Sequence, residues 1–187
     1  MSENPNSTEF ALLNHDEVTQ ELYAQWSVPG KKYAMSIVKS WSDAEEIVQE
    51  SFLRLVRQDD VAKINKSMLF AVIRNLSIDY WRQSRSQNFE SLQSGEIAAT
   101  GQDSGNQLEA LESGIEAAMK KLPENWTEAL QLKINGGLSY SEIADVLQAT
   151  KNQVRTWIFR GRKQLEKELR DKGLLTDNLR PSGGIHD

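Results

Sequence analysis

SYSEIADVLQATKNQVRTWIFRGRKQL, residues 139–165, reads as two helices joined by a very short turn. Ser139 followed by Glu142 is a capping box, in which the hydroxyl accepts from an early helical N–H while the carboxylate reaches back. Thr150 followed by Gln153 repeats the device eleven residues on. Two starts that close leave room for about two turns of helix and a turn of roughly three residues, which is helix-turn-helix spacing. Ile143, Ala144 and Leu147 form the inner stripe of the first helix; Val154, Ile158, Leu165 and Leu169 form that of the second.

The second helix is strongly basic. Thr150 to Lys172 holds eight Lys or Arg against three acids, a net of +5 on a chain whose total is −5. A solvated basic helix is the plain explanation. Attraction to phosphate is the sharper one, and capping, spacing and charge agree on it, with Asn152, Gln153, Arg155 and Thr156 in the first turns, where a recognition helix meets base edges.

Charge is segregated elsewhere too. Lys63 to Arg85 carries five bases and one acid, whereas Ser86 to Glu116 carries six acids and no base. Two basic patches separated by an acidic stretch fit a polyanion gripped at two places. The chain has 187 residues, enough for one domain or two small ones, and no cysteine, which excludes disulfides and thiolate metal sites. MSENPNSTEF lacks the basic start and apolar core of a signal peptide, and no apolar run approaches membrane-spanning length, so a cytoplasmic protein is expected.

Residues 1–8 are polar and expected to be a disordered leader. From Glu9 to Ser40 apolar positions recur at helical spacing, interrupted by Pro29-Gly30, which predicts two helices or one bent one. Ser42 or Asp43 is the next expected N-cap. Asp43 to Arg57, DAEEIVQESFLRLVR, has an inner stripe of Ala44, Ile47, Val48, Ser51, Phe52 and Leu55. Acids crowd its early outer face and Arg54 and Arg57 come late, the order a helix dipole favours, so ordinary surface charge explains the segment as well as a partner would. No Glu-x-x-His accompanies its glutamates, which sets aside a di-metal carboxylate site. A loop from about Gln58 to Lys66 leads to SMLFAVIRNLSIDYWRQ, with Leu69, Val72, Ile73, Leu76 and Tyr80 on the core side and Asn75, Asp79 and Arg82 on a polar stripe. Tyr80 reads as closing the bundle; Trp81 fits that role or stacking on a base.

Residues 86–107, rich in Gly, Ser, Gln and acids, bury too little to order themselves and are read as a flexible linker. Fully extended, they would span on the order of 75 Å. Helical periodicity resumes at Leu108. Pro123 opens the next helix, Gly136-Gly137 ends it, and these two helices with the helix-turn-helix form a four-helix unit over 108–172. Residues 173–187 are expected to be a disordered tail, with Leu174, Leu175 and Leu179 able to dock. An enzyme on nucleic acid finds no support, since His15 and His186 are the only histidines and GGLS lacks the Gly-Lys-Ser/Thr of a phosphate loop. No cofactor is expected.

Three segments in this order, DAEEIVQESFLRLVR, FAVIRNLSIDYWRQSR and LPENWTEALQLKINGGLSYSEIADVLQATKNQVRTWIFRGRKQL, resemble the extracytoplasmic-function sigma factors of bacterial RNA polymerase over roughly Leu22 to Leu169. The resemblance implies an all-α chain of two small domains, a region 2-like bundle over residues 9–85 and a region 4-like helix-turn-helix over 108–172. It implies that Glu46, Gln49 and Glu50 dock on the clamp helices of the largest polymerase subunit. Asn75 and Asp79 would lie beside the bases of the −10 element, Lys66 and Ser67 in an adjoining loop that holds a flipped base, and Arg74, Arg82 and Arg85 on phosphates. Arg155, Thr156, Phe159 and Arg160 occupy the family's −35 contact positions, with Lys151, Gln153 and Arg162 nearby. The implied partners are core polymerase, promoter DNA and an anti-sigma factor, and the implied act is promoter melting without hydrolysis. The chain departs from the family's pattern at Met68, where a tryptophan is frequent, at Trp157, commonly basic, and at Gly161, commonly alanine.

Overall fold

The computed structural model describes residues 5–58, 61–91 and 107–175. Among them the chain forms seven α-helices and one 3-10 turn and no strand: α1 Pro5–Val38, α2 Trp41–Gln58, the turn Val61–Lys63, α3 Lys66–Ser91, α4 Gln107–Met119, α5 Glu124–Ile134, α6 Tyr140–Leu147 and α7 Lys151–Asp171. This is the all-α architecture expected. Two compact units divide it. One gathers α1–α3 with the stretch Gln131–Lys151, which contains α6; the other gathers α4, α5 as far as Leu130, and the chain from Asn152, with α7.

In the first unit, all six residues of the stripe read along α2 are buried: Ala44, Ile47, Val48, Ser51, Phe52 and Leu55. Each buried aliphatic or aromatic side chain there contributes roughly 1.5–3 kcal/mol. The same regularity serves α3 less well. Leu69 and Ile73 are fully buried, but so are Phe70 and Ser77, while Val72, Leu76 and Tyr80 are half-buried, so the helix turns a different edge inward than periodicity alone selects.

Pro29 does not end α1; a single helix runs through it. A proline in a helix interior removes one hydrogen bond, and packing makes up for it. A Cβ on Gly30 would stand 3.0 Å from Ile73 Cδ1 and 3.3 Å from Val48 Cγ2, so the missing side chain lets α1 lie against both α2 and α3. Tyr33 and Ala34, a turn later, are fully buried. Left-handed Lys39 stops the helix. Ser40 then caps α2, its Oγ accepting from the Asp43 N–H at 3.4 Å. The cap is therefore neither Ser42 nor Asp43: the helix starts at Trp41 because Ser40 supplies the acceptor. Helix α3 extends to Ser91, into the stretch read as linker, and α1 begins at Pro5, inside the stretch read as leader; residues 1–4 and 92–106 lie outside the described residues.

In the second unit, Gly161 is buried in α7, and a Cβ there would stand 2.7 Å from Leu130 Cδ1 and 3.6 Å from Trp126 Cβ. This glycine, which departs from the family's usual alanine, thus lets α7 approach α5 closely. Helix α7 ends in a Schellman motif: Gly173, with φ 69°, donates to the Arg170 carbonyl at 2.8 Å, and the Leu174 N–H to the Leu169 carbonyl at 2.9 Å. Leu174 packs on Gly114 of α4, so the start of the expected loose tail is a packed helix end. Leu179 lies outside the described residues.

Candidate nucleic-acid and polymerase interfaces

Helix α6 opens with the capping box read from sequence, the Ser139 Oγ accepting from the Glu142 N–H at 3.2 Å and the Glu142 carboxylate accepting from the Ser139 N–H at 2.7 Å. It closes on Gln148, held left-handed at φ 51°, with the Ala149 N–H donating to the Ala144 carbonyl at 2.9 Å. That turn leads to α7 at Lys151, one residue after Thr150. Ile143, Ala144 and Val146 are the buried residues of α6, with Leu147 half-buried. On α7 they are Val154, Ile158, Gly161 and Leu169, with Leu165 half-buried.

Because Val154, Ile158 and Gly161 face inward, every residue assigned to the −35 element lies outward. Lys151, Gln153, Arg155, Thr156, Phe159, Arg160 and Arg162 are all exposed. Phe159 is 67% exposed, although exposing an aromatic ring forgoes the stabilisation its burial would bring. Trp157 is half-buried. The Thr156 hydroxyl donates back to the Asn152 carbonyl at 2.9 Å, which restrains its rotamer. A groove of about 490 Å³ over Trp126 continues the basic face past Arg160 to Lys163 and Lys167.

The residues assigned to the −10 element lie along α3. Lys66 and Ser67 belong to its first turn rather than to a loop, because Asn65 caps the helix: its Oδ1 accepts from the Met68 N–H at 2.9 Å and from the Ser67 hydroxyl at 2.7 Å. Asn at this place is itself a cap signal that the sequence carried. Asn75, Asp79, Arg82 and Arg85 are exposed and Arg74 is half-buried. Arg82 pairs with Asp79 at 3.9 Å, and the Arg85 guanidinium sits 4.8 Å from the Trp81 ring centroid. Trp81 is 43% exposed, so it is not a closing element of the bundle.

On α2, Glu46 and Gln49 are exposed, and Glu50 accepts from the Arg54 Nε at 2.7 Å. Glu46 and Glu50 meet Asp79 and Tyr80 of α3 across a groove of about 340 Å³. Tyr80 bonds to Asp43 there, which holds the Asp43 carboxyl below the usual range, with Ser40 adding to the effect, and raises the Tyr80 hydroxyl. Residues assigned by sequence to different partners thus line one groove. Linear spacing does not display this, since it depends on how α2 packs on α3. Among the described residues no group of three or more His, Asp or Glu stands close enough to hold a metal ion, and no helix is long and apolar enough to cross a membrane.

Two family models match the chain: sigma-70 region 2 over residues 22–87 and sigma-70 region 4 over residues 113–165. The chain belongs to the sigma-70 family. Region 2 followed by region 4, with only residues 88–112 between them, is the layout of an extracytoplasmic-function sigma factor. A sigma factor is a regulatory DNA-binding protein of transcription initiation. Two solved structures share the sigma factor's fold. One is the structure of CnrH in complex with the cytosolic domain of CnrY, at 21% identity and a TM-score of 0.57, covering 82% of this chain and 88% of that one. The other is the sigma factor RpoE in complex with the anti-sigma factor NepR from Bartonella quintana, at 18% identity and a TM-score of 0.54, covering 81% and 96%. No curated protein matches the chain.

Proposed function

We propose that this sigma factor docks on core RNA polymerase through Glu46, Gln49 and Glu50 of α2, reads the −35 duplex with α7, and traps the opened −10 strand along α3. The observation that carries the reading is the outward face of α7: Arg155, Thr156, Phe159 and Arg160 are exposed while their helix is anchored by Val154, Ile158 and Gly161. Arginines there suit bidentate contact to guanine, and Phe159 suits a thymine methyl. Along α3, Asn75 and Asp79 stand beside the bases while Lys66, Arg74, Arg82 and Arg85 offer charge to phosphates and Ser67 a hydroxyl. Melting in this scheme needs no hydrolysis, because contacts made only to the opened strand shift the equilibrium towards it. Polymerase supplies the catalysis.

An anti-sigma factor is the further partner proposed. The RpoE structure above is a complex with one, and the same surfaces would need covering to hold this factor inactive.

Run-off transcription with purified core polymerase on DNA upstream of the chain's own gene tests the reading. Arg155→Ala and Arg160→Ala should abolish specific transcripts and leave polymerase binding intact. Glu46→Lys should do the reverse, and it leaves the Glu50–Arg54 pair undisturbed. If the wild-type chain does not associate with core polymerase, the proposal fails.

A further inference from the structure

Trp126 of α5 lines the groove of about 490 Å³ that runs along α7. Its Cβ lies 3.6 Å from where a Cβ on Gly161 would stand, so the bare backbone of α7 lets the helix that carries the indole sit close. The opposite wall is α7 itself. Arg160, Lys163 and Lys167 line it at spacings of three and four residues, which puts them on one stripe. At 1.5 Å per residue the row is about 10 Å long. Among the described residues no ion pair or hydrogen bond engages these three cations. Glu166, the carboxylate set between two of them, is answered by Arg170, whose Nη2 donates to it at 3.0 Å. Asp171 stands at the far end. All of these residues belong to the second compact unit.

We propose that this groove binds a nucleoside polyphosphate, with its base stacked on Trp126 and its phosphates on Arg160, Lys163 and Lys167. Like charges three and four residues apart repel one another, and an anion that bridges them relieves the repulsion. An indole beside a row of cations suits a ligand with both a π-face and phosphate oxygens that accept charge-assisted hydrogen bonds. A carboxylate-rich peptide would answer the cations and leave the ring uncovered. The volume is that of a small-ligand site, and Asp171 repels a longer strand running past that end. Arg160 also belongs to the set assigned to the −35 element, so the ligand and duplex DNA compete for it. Only that consequence rests on the promoter reading.

Isothermal titration of the full chain with ATP in magnesium-free buffer tests the site without polymerase or promoter. ATP should bind about tenfold more tightly than tripolyphosphate, which lacks the base, or adenosine, which lacks the phosphates. It should also protect Lys163 and Lys167 from acetic anhydride, read by peptide mass spectrometry, and leave exposed Lys32 reactive. Lys163→Ala combined with Lys167→Ala should weaken ATP binding severalfold, and Trp126→Leu should lower it to the tripolyphosphate level. Should circular dichroism show Trp126→Leu unfolded, the wild type decides the role of the ring through ATP against tripolyphosphate. Equal affinity for those two overturns the proposal, as does no binding at millimolar ATP. Tighter binding of a trinucleotide strand would assign the groove to nucleic acid, and tighter binding of a glutamate decapeptide to an acidic protein; either overturns it. Saturating ATP should weaken duplex binding severalfold more than tripolyphosphate does, and an equal effect overturns the shared use of Arg160. A chain that binds no promoter DNA would remove the −35 assignment and leave the titration result standing.

Discussion

Helices α7 and α3 carry the two sets of side chains assigned to DNA, and they hold them differently. On α7 the set is exposed throughout, on a helix anchored from behind by Val154, Ile158 and Gly161. On α3 the set is mixed: Lys66, Ser67 and Arg74 are half-buried, with Lys66 bonded to Gly137 and Ser67 to Asn65, while Asn75, Asp79, Arg82 and Arg85 are exposed. The contrast matches the two tasks proposed for these helices. A duplex offers its groove edges and phosphates ready-made, so a presented surface suffices. An opened strand does not exist until melting begins, so a surface for it need not stand fully presented beforehand.

The largest expected effect tests the presented helix. Arg155→Ala combined with Arg160→Ala should weaken binding to duplex upstream DNA by about 1–3 kcal/mol per arginine, read by electrophoretic mobility shift, with an unchanged circular dichroism spectrum. If Arg82→Ala weakens duplex binding equally, the contrast between the helices breaks.

Next comes the anchoring of α7. Gly161→Val forces a branched side chain towards Leu130, 2.7 Å from where its Cβ would stand, and should destabilise the second unit by about 1–3 kcal/mol in urea denaturation. Polymerase binding through α2 should survive it.

A smaller effect of opposite sign is expected inside α3. Ser77 is fully buried and its hydroxyl has no hydrogen-bond partner among the described residues, so Ser77→Ala should raise stability by about 1 kcal/mol. The substitution touches no surface, so transcription should not change; if it does, α3 conveys core packing to its outer face.

The smallest effect concerns pH. Lys121 donates to Glu168 at 2.6 Å, and that bond holds the Glu168 carboxyl below its ordinary value. A depressed carboxylate adds stability that is present above its unfolded value and is lost as pH falls through its folded value. Lys121→Met should therefore lower the melting temperature slightly near neutral pH and not at all below the carboxylate range. An equal loss at both would mean that the lysine stem, not its charge, matters.

Much of this was legible along the chain. The α2 stripe came out whole because a strictly periodic apolar set has one way to face a core. The Ser139–Glu142 box and the α7 face were equally plain, since capping and 3.6-residue spacing act within a few residues of one another. Caps at Ser40 and Asn65 were missed although each is a standard signal, because neighbouring Ser42, Asp43 and Ser67 compete for the same role.

What residue order determined by itself is therefore local: most of the helical stretches, the Ser139–Glu142 cap, the segregation of charge, and a family pattern read from three ordered segments. Tertiary structure decided what depends on proximity between distant residues. It carried α1 through Pro29 by packing Gly30 on Ile73 and Val48, turned Phe70 and Ser77 inward, joined Glu46 and Asp79 in one groove, and placed Lys66 on a carbonyl 71 positions away. Periodicity records which face of a helix is apolar, but not which helix it meets or how closely two backbones approach. Those are set when side chains from separate segments compete for the same space.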